Sequence, residues 1–324
     1  MKTKHKDTIL LSVFLIIGFL IGYLVFDKEL NCDRMKYKYI NPELVCKEKL
    51  VVRKHNYIEL KRELERMIKD QKDKKLIKDV SVYFRDLHNG PTFGINEYDH
   101  FSPASLLKLP LFLTYLKLEI EQPGLLSSEI YFDGAEDELV PYYPPKVKAE
   151  NNTQYSIRGL LDLMIKYSDN NSYYVLREYL NEISPDKDLM RQTFVDLGII
   201  DPQGVGDQTI SVKSYAGIFT QLYHNSFFPN RDFSERALDV LSDVDFKEGI
   251  NLGVPKDIKV AHKFGERFYG NTQEGQLHDC GVVYYPENPY VLCVMTRGPD
   301  FFILSQFIGK ISNMVYEEFN SRKI

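Results

Sequence analysis

The sequence lacks the features that mark nucleic-acid-binding and metal-dependent proteins. Among 324 residues, 41 basic and 46 acidic side chains give a net charge of −5, and no basic cluster interleaved with aromatic residues follows the short N-terminus. The charge distribution therefore gives no indication that the protein binds nucleic acid. The chain contains no Cys-x-x-Cys or His-Glu-x-x-His motif, so we expect neither a dedicated metal site nor a cofactor.

Small residues are also scarce near the N-terminus, since the first alanine of the chain is Ala104. Residues 8–26 form a run of 19 residues without a charge, long enough to cross a membrane as a helix. A cleaved signal peptide needs small residues at its cleavage site, and this run does not supply them. Because Lys2, Lys4 and Lys6 precede the run, we predict an uncleaved single-pass anchor in the cell membrane, with the remainder of the chain extracytoplasmic.

Four cysteines fit an extracytoplasmic location. Cys32 and Cys46 lie in residues 27–56, a polar stretch that we interpret as a stalk, and their spacing allows a small disulfide loop. Cys280 and Cys293 lie in neighbouring strand-like runs, where we interpret them as small buried residues of a sheet.

Residues 57–324 are predicted to form one α+β domain. Alternating apolar and polar residues predict a strand over 79–87, followed by a hairpin turn at 88–90 and a return strand over 91–96. Further strands are predicted over 259–264, 276–285 and 290–296. Helices are predicted over 57–74, 105–120, 156–166, 171–180, 213–223 and 300–319. We therefore expect a five-stranded antiparallel sheet from residues 57–100 and 255–324, flanked by helices, with a helical subdomain over about 101–254.

The first residues that indicate catalysis, Ser105 and Lys108, lie at the start of the helix predicted from Ser105. Ser102 is a suitable N-cap and Pro103 suits the first helical position, which places Ser105 in the first turn and Lys108 on the same face. The apolar neighbours of Lys108 predict burial, which lowers the pKa of a lysine towards the range of a general base. Such a lysine can accept the Ser105 proton while the hydroxyl attacks an acyl carbon.

A Ser-x-x-Lys motif alone is a weak signal, because both residue types are common. Indeed Ser184 and Lys187 form a second instance, in a polar stretch broken by proline. Two further motifs follow Ser105 at long range, namely Ser-Asp-Asn at residues 168–170 and Lys-Phe-Gly at residues 263–265. The first of these is also a typical N-cap for the next helix, and that role is compatible with catalysis.

In this order the three motifs resemble those of the penicillin-interacting serine enzymes, the class A β-lactamases and related D,D-peptidases. Residues 139–144, Leu-Val-Pro-Tyr-Tyr-Pro, are similar to the cleft wall of class A enzymes, where an aromatic residue, here Tyr142, flanks the substrate. The resemblance covers roughly residues 57–320. It implies a β-lactamase/transpeptidase-like fold and a ligand that is a β-lactam or a D-alanyl peptide of peptidoglycan.

The resemblance also implies roles for individual residues. Ser105 would be the acylated nucleophile and Lys108 its base, while Ser168 would relay a proton to the leaving nitrogen and Asn170 would hydrogen-bond the substrate amide. Lys263 would orient Ser168 and attract an anionic substrate.

Gly265 would let the substrate backbone approach, and the amides of Ser105 and Glu266 would form the oxyanion hole. One residue departs from the pattern. Phe264 occupies the position where the family usually carries a hydroxyl for the substrate carboxylate.

A second departure concerns deacylation. Class A β-lactamases activate water with a glutamate between the second and third motifs, whereas residues 199–209 contain no glutamate. Asp201 and Asp207 are the nearest carboxylates, and we interpret both as turn residues. His262, His278 and Asp279 are interpreted as structural.

These patterns predict a membrane-anchored serine hydrolase that forms an acyl-enzyme on Ser105 and, without a glutamate in residues 199–209, is not expected to deacylate fast. The alternative is a penicillin- or muropeptide-binding or sensory module that does not hydrolyse its ligand. A third hypothesis is a structural protein of the cell envelope that has the same fold and no catalytic activity. The oligomeric state does not follow from the sequence.

Overall fold

The computed structural model describes residues 16–19, 36–44, 56–88, 90–134, 141–199 and 209–321. Within these ranges, no helix is both long enough and apolar enough to span a bilayer. Residues 8–15 and 20–26 of the predicted anchor, together with Cys32 and Cys46, lie outside the described residues.

The centre of the fold is a five-stranded antiparallel sheet. Its strands are β1 (Asp79–Asp86), β2 (Thr92–Ile95), β7 (Val260–Tyr269), β8 (Glu274–Val283) and β9 (Tyr290–Gly298). They lie in the order β2-β1-β9-β8-β7. This confirms the predicted pairing of two N-terminal strands with three C-terminal strands. The third of the five, β7, is longer than predicted because it pairs with β8 as far as Tyr269 opposite Glu274.

The interpretation of Cys280 and Cys293 was partly right. Both are fully buried in the sheet, as predicted, but a disulfide joins them. They occupy directly opposite positions of β8 and β9, and their Cα atoms are 3.9 Å apart. Because the two side chains leave the sheet on the same face, this register brings the sulfur atoms together.

The helices cover both faces of the sheet and fill the middle of the chain. They are α1 (Ile58–Asp73), α2 (Lys108–Glu121), α3 (Ile157–Lys166), α4 (Asn170–Ile183), α5 (Leu189–Asp196), α6 (Val212–Tyr223), α7 (Arg231–Ser242) and α8 (Phe301–Ser321). Helices α5 and α7 were not predicted from the sequence. Two short ribbons were not predicted either: β3 (His100–Phe101) pairs with β6 (Ile210–Ser211), and β4 (Glu129–Phe132) pairs with β5 (Thr153–Ser156).

The two terminal helices pack on one face of the sheet around Phe84 of β1. The ring of Phe319 from α8 lies 4.8 Å from Tyr290 of β9 and 6.1 Å from Phe84. Tyr57, just before α1, packs on Phe84 at 4.7 Å. On the opposite face, α6 contacts β1, β8 and β9. The sheet is therefore buried between layers of helix, as the α+β prediction requires.

Residues 36–44, inside the segment predicted to be a stalk, lie against the helical part of the domain. The Glu235 carboxylate accepts hydrogen bonds from three successive backbone amides, those of Lys38, Tyr39 and Ile40. The next amide, that of Asn41, donates to the Tyr223 carbonyl at 2.8 Å. Since these bonds come from consecutive residues, this part of the chain follows the surface of α6 and α7.

Candidate active site

Ser105 lies in a tight turn rather than in the first turn of an α-helix. Residues Ala104–Leu107 form a 3-10 helix, and α2 begins only at Lys108. Ser102 is not the N-cap that we predicted. The residue that flanks the turn is Pro103, while the Ser102 amide donates to the Gln276 side chain at 3.1 Å. The reason is local, because Ala104 adopts a left-handed φ of 48°, which an ordinary helix start cannot contain.

Lys108 connects the nucleophile to the second motif. Its Nζ lies 3.1 Å from Ser105 Oγ and 3.2 Å from Ser168 Oγ. The same amine donates to the backbone carbonyl of Ser168 at 2.5 Å and to the Asn170 side-chain oxygen. Only 2% of Lys108 is exposed, whereas Ser105 is half-buried and borders the cleft.

The Ser-Asp-Asn motif forms the junction between α3 and α4. Ser168 has a left-handed φ of 58°, and Asp169 caps α4 by accepting from the amides of Asn171 and Ser172. Asp169 also accepts from the Ala149 amide at 3.1 Å, and it is 1% exposed. The predicted capping role is therefore present, and it holds Ser168 in a fixed position beside Lys108.

Lys263 brings the third motif to the same point. It is completely buried on β7, and its Nζ donates to Ser168 Oγ and to the Phe264 carbonyl, each at 2.9 Å. Burial, and next the neighbouring Lys108 amine, hold the pKa of Lys263 well below its ordinary value, against the opposing charges of Asp279 and Glu266. Ser168 Oγ thus lies between two amines, one from each of the other motifs.

Gly265 lies where β7 meets the nucleophile turn. A Cβ at this position would be 3.0 Å from the Pro103 carbonyl oxygen and 3.1 Å from the Leu106 amide nitrogen. A side chain here would force the strand or the turn to shift by a few tenths of an ångström, so glycine allows the two to pack closely. The predicted role of Gly265 in substrate approach stays a prediction. The close packing places the residue after Gly265, which is Glu266, beside the Ser105 turn.

The side chain of Glu266 has a role that sequence analysis missed. Its two carboxylate oxygens accept hydrogen bonds from the Tyr143 amide at 2.9 Å and the Tyr142 amide at 3.2 Å. Burial raises the pKa of Glu266 above its ordinary value, because it outweighs the opposing effects of these two amides and of the Lys108 and Lys263 amines. The carboxylate therefore connects β7 to the cleft wall, which sequence analysis placed around Tyr142.

Aromatic rings fill the space between that wall and β7. Tyr142 is 56% exposed and stacks on Phe301 at 5.0 Å, whereas Phe264 is buried against Phe246 with ring centres 4.0 Å apart. Tyr143 packs edge-on against both Phe246 and Phe264. Phe246 and Phe301 were not predicted to be near the site, because nothing in their local sequence indicates contact with residues more than 100 positions away.

The histidines of β7 and β8 have partners inside the fold. His262 Nδ1 lies 2.7 Å from a carboxylate oxygen of Asp279, and its Nε2 lies 3.0 Å from the Asn251 side chain. His278 Nε2 lies 3.0 Å from the Ser102 carbonyl, and the Thr296 amide donates to its Nδ1. This geometry agrees with the structural roles that we predicted. Asp201 and Asp207 lie outside the described residues.

The burial of His278 predicts a loss of stability in acid. Burial lowers the pKa of His278 from 6.5 to about 4, so below pH 6.5 the unfolded chain binds a proton that the folded protein does not. The free energy of unfolding should therefore fall by about 3 kcal/mol as the pH drops from 6.5 to 4. Urea unfolding across this range should be less pH-dependent in His278→Gln. Equal pH dependence in the two proteins would contradict the assignment.

The sequence pattern of the β-lactamase enzyme family matches residues 59–319, most of the chain. The chain belongs to the β-lactamase enzyme family.

Solved structures share the β-lactamase fold. A variant of PBP-A in an acyl-enzyme complex with penicillin G matches with a TM-score of 0.65 and 21% identity, over 82% of this chain and 97% of that chain. A class A β-lactamase from Mycobacterium abscessus gives 0.65 and 22%, over 80% and 98%. The TLA-3 extended-spectrum β-lactamase gives 0.69 and 16%, over 82% and 99%. No curated protein matches the chain.

Proposed function

We propose that this protein is a membrane-anchored serine hydrolase that forms an acyl-enzyme on Ser105 with β-lactams or with D-alanyl peptides of peptidoglycan. The observation that carries the proposal is the contact of Lys108 Nζ with both Ser105 Oγ and Ser168 Oγ, at 3.1 Å and 3.2 Å. A nucleophile in contact with a buried amine, which is oriented in turn by further groups, is the arrangement that activates a serine.

The first step is acylation. Lys108, in its neutral form, accepts the Ser105 hydroxyl proton while Oγ forms a bond to the carbonyl carbon of the ligand. The negative charge that develops on the carbonyl oxygen is stabilised by the backbone amides of Ser105 and Glu266. Asn170 hydrogen-bonds the ligand amide, and Tyr142 borders the ligand at the cleft wall.

The second step is release of the amine. The C–N bond of the ligand breaks, and the proton taken by Lys108 passes through Ser168 to the leaving nitrogen. Lys263 orients Ser168 for this transfer, through the 2.9 Å hydrogen bond to its hydroxyl. No other reactant is needed to reach the acyl-enzyme.

A second candidate function differs from the first in whether the acyl-enzyme is hydrolysed. The lack of a glutamate in residues 199–209 favours a protein that holds its ligand, as a penicillin- or muropeptide-binding or sensory module. In that case the acyl-enzyme is the product, and the membrane anchor localises or transmits the bound state.

Time-resolved intact mass spectrometry tests the proposal. Incubation of the extracytoplasmic domain with excess benzylpenicillin should add one ligand mass, and peptide mapping should locate it on Ser105. A persistent adduct favours the binding module, whereas an adduct that decays with repeated consumption of nitrocefin favours the hydrolase. No adduct at millimolar drug concentrations would reject acylation by β-lactams.

Membrane anchoring needs its own experiment. The full chain should sediment with membranes and require detergent for release, and deletion of residues 8–26 should make it soluble. A full chain found in the supernatant after ultracentrifugation would reject the anchor without affecting the acylation chemistry.

A further inference from the structure

The turn that carries Ser105 has an unfavourable backbone conformation. Ala104, the residue before the nucleophile, has a left-handed φ of 48°, which residues with a Cβ rarely adopt. The peptide bond between Ala104 and Ser105 contains the Ser105 amide, one of the two proposed oxyanion donors. The positions of this amide and of Ser105 Oγ therefore depend on the contacts that keep the turn in this conformation.

A buried tyrosine contacts the turn on the side that follows Ser105. Tyr215 lies in α6 and is 1% exposed, and its hydroxyl donates to the Leu106 carbonyl oxygen at 2.9 Å. Burial, and next the charge of Asp279, raise the pKa of Tyr215, so the hydroxyl keeps its proton and remains a donor. This hydrogen bond joins α6, which packs on the sheet, to the residue directly after the nucleophile.

A buried histidine contacts the turn on the side that precedes Ser105. The Nε2 atom of His278 lies 3.0 Å from the Ser102 carbonyl oxygen. Because the Thr296 amide donates to Nδ1, that nitrogen is the acceptor and Nε2 carries the hydrogen. Burial lowers the pKa of His278 to about 4, which favours this neutral form at neutral pH. The imidazole therefore donates to the backbone of Ser102.

The register of the sheet places His278 against the nucleophile turn. His278 pairs with Gly265, the residue of β7 that packs on this turn. Gln276, two residues before His278 and on the same face of β8, accepts from the Ser102 amide at 3.1 Å. Lys263 lies two residues before Gly265, and directly paired residues share a face. The contacts to Ser102 therefore come from the face of the sheet that carries Lys263.

We propose that Tyr215 and His278 are positioning residues for acylation, which hold the Ser105 turn from its two sides. This inference rests on the proposed acylation of Ser105. Both side chains act through the backbone of the turn, so they fix the Ser105 hydroxyl relative to Lys108 and direct the Ser105 amide at the ligand. Their loss should slow bond formation more than it weakens ligand binding, because a small displacement of a nucleophile has a large effect on rate.

Two buried tyrosines provide a matched pair of variants. Tyr115 in α2 is also buried, and its hydroxyl donates to a backbone carbonyl, that of Leu176, at 2.5 Å. Tyr215→Phe and Tyr115→Phe therefore remove the same atom and leave the same kind of buried acceptor, but only the first removes a contact to the nucleophile turn. Acylation by benzylpenicillin, followed by intact mass over a range of drug concentrations, gives a limiting rate constant and a half-saturating concentration for each protein.

We expect Tyr215→Phe to lower the limiting rate constant about tenfold and to change the half-saturating concentration less than about twofold. Tyr115→Phe should retain both wild-type values. For His278 the comparison is between glutamine, whose amide keeps a donor near the position of Nε2, and leucine, which has no donor. His278→Leu should lose at least about tenfold in the limiting rate constant, and His278→Gln should remain within about threefold of the wild type.

The possible results have distinct meanings. A folded Tyr215→Phe protein with the wild-type limiting rate constant would overturn the inference, and so would an equal loss in Tyr115→Phe, which would reflect general destabilisation. A loss confined to the half-saturating concentration would overturn it as well. If His278→Leu does not fold, the tyrosine pair still decides the outcome. No adduct in the wild type would instead count against the proposed acylation itself.

Discussion

Ser105→Ala should abolish covalent labelling by penicillin. The hydroxyl is the atom that becomes acylated, so its removal leaves only background reaction, a loss of about 10⁴-fold or more. The fold should be preserved, because Lys108 retains hydrogen bonds to the Ser168 carbonyl and to Asn170. Intact mass after incubation with benzylpenicillin measures the labelling, and a thermal melt measures the fold.

The second Ser-x-x-Lys sequence supplies a matched control. Ser184 follows α4 and has a lysine at the same spacing, Lys187, but the 14 residues of α4 separate this pair from the Ser-Asp-Asn motif by about 20 Å along the helix. Ser184→Ala should label at the wild-type rate. Labelling that survives in Ser105→Ala, or disappears in Ser184→Ala, would place the nucleophile elsewhere.

Lys108→Ala should slow acylation by about 10²- to 10⁴-fold, the contribution of a positioned general base. The nucleophile remains in this variant, so slow labelling of Ser105 should persist during long incubation. Because the cavity left by the side chain borders Ser105, added methylamine should restore part of the rate. The rate constant for adduct formation, with and without methylamine, is the measurement.

The rescue separates a chemical role from a structural one. Lys108 also holds the Ser168 carbonyl and Asn170, so its loss can disturb the site without any effect on proton transfer. A stable Lys108→Ala protein that labels at the wild-type rate would exclude the base. Lys187→Ala should behave like the wild type with respect to both labelling and stability.

The sheet was largely predictable because its signals are local. The alternation in β1 and the turn before β2 lie within about 20 consecutive residues, and the three C-terminal strands have similar patterns. The disulfide was not predictable, because it depends on the register that sets Cys280 opposite Cys293. α7 was missed since its sequence is strongly charged and its apolar stripe is narrow.

The parts of the candidate site that consist of short motifs were predictable, because the chemistry requires a fixed spacing between their residues. The parts that depend on tertiary packing were not predictable. Ser105 and Lys108 are three residues apart, and the motif resemblance brought Ser168 and Lys263 to the same point. The 3-10 turn depends on a single φ angle at Ala104, which local propensity does not indicate. The bond between Glu266 and the cleft wall joins residues more than 120 positions apart, and no periodic pattern reports such a contact.

The attachment of residues 36–44 to α6 and α7 limits how far the proposed enzyme could travel from the lipid surface. Nine residues separate position 26 from Lys36, and nine fully extended residues span at most about 30 Å. With the proposed anchor in place, the tether is therefore short. The catalytic domain would sample only the first few nanometres beyond the bilayer.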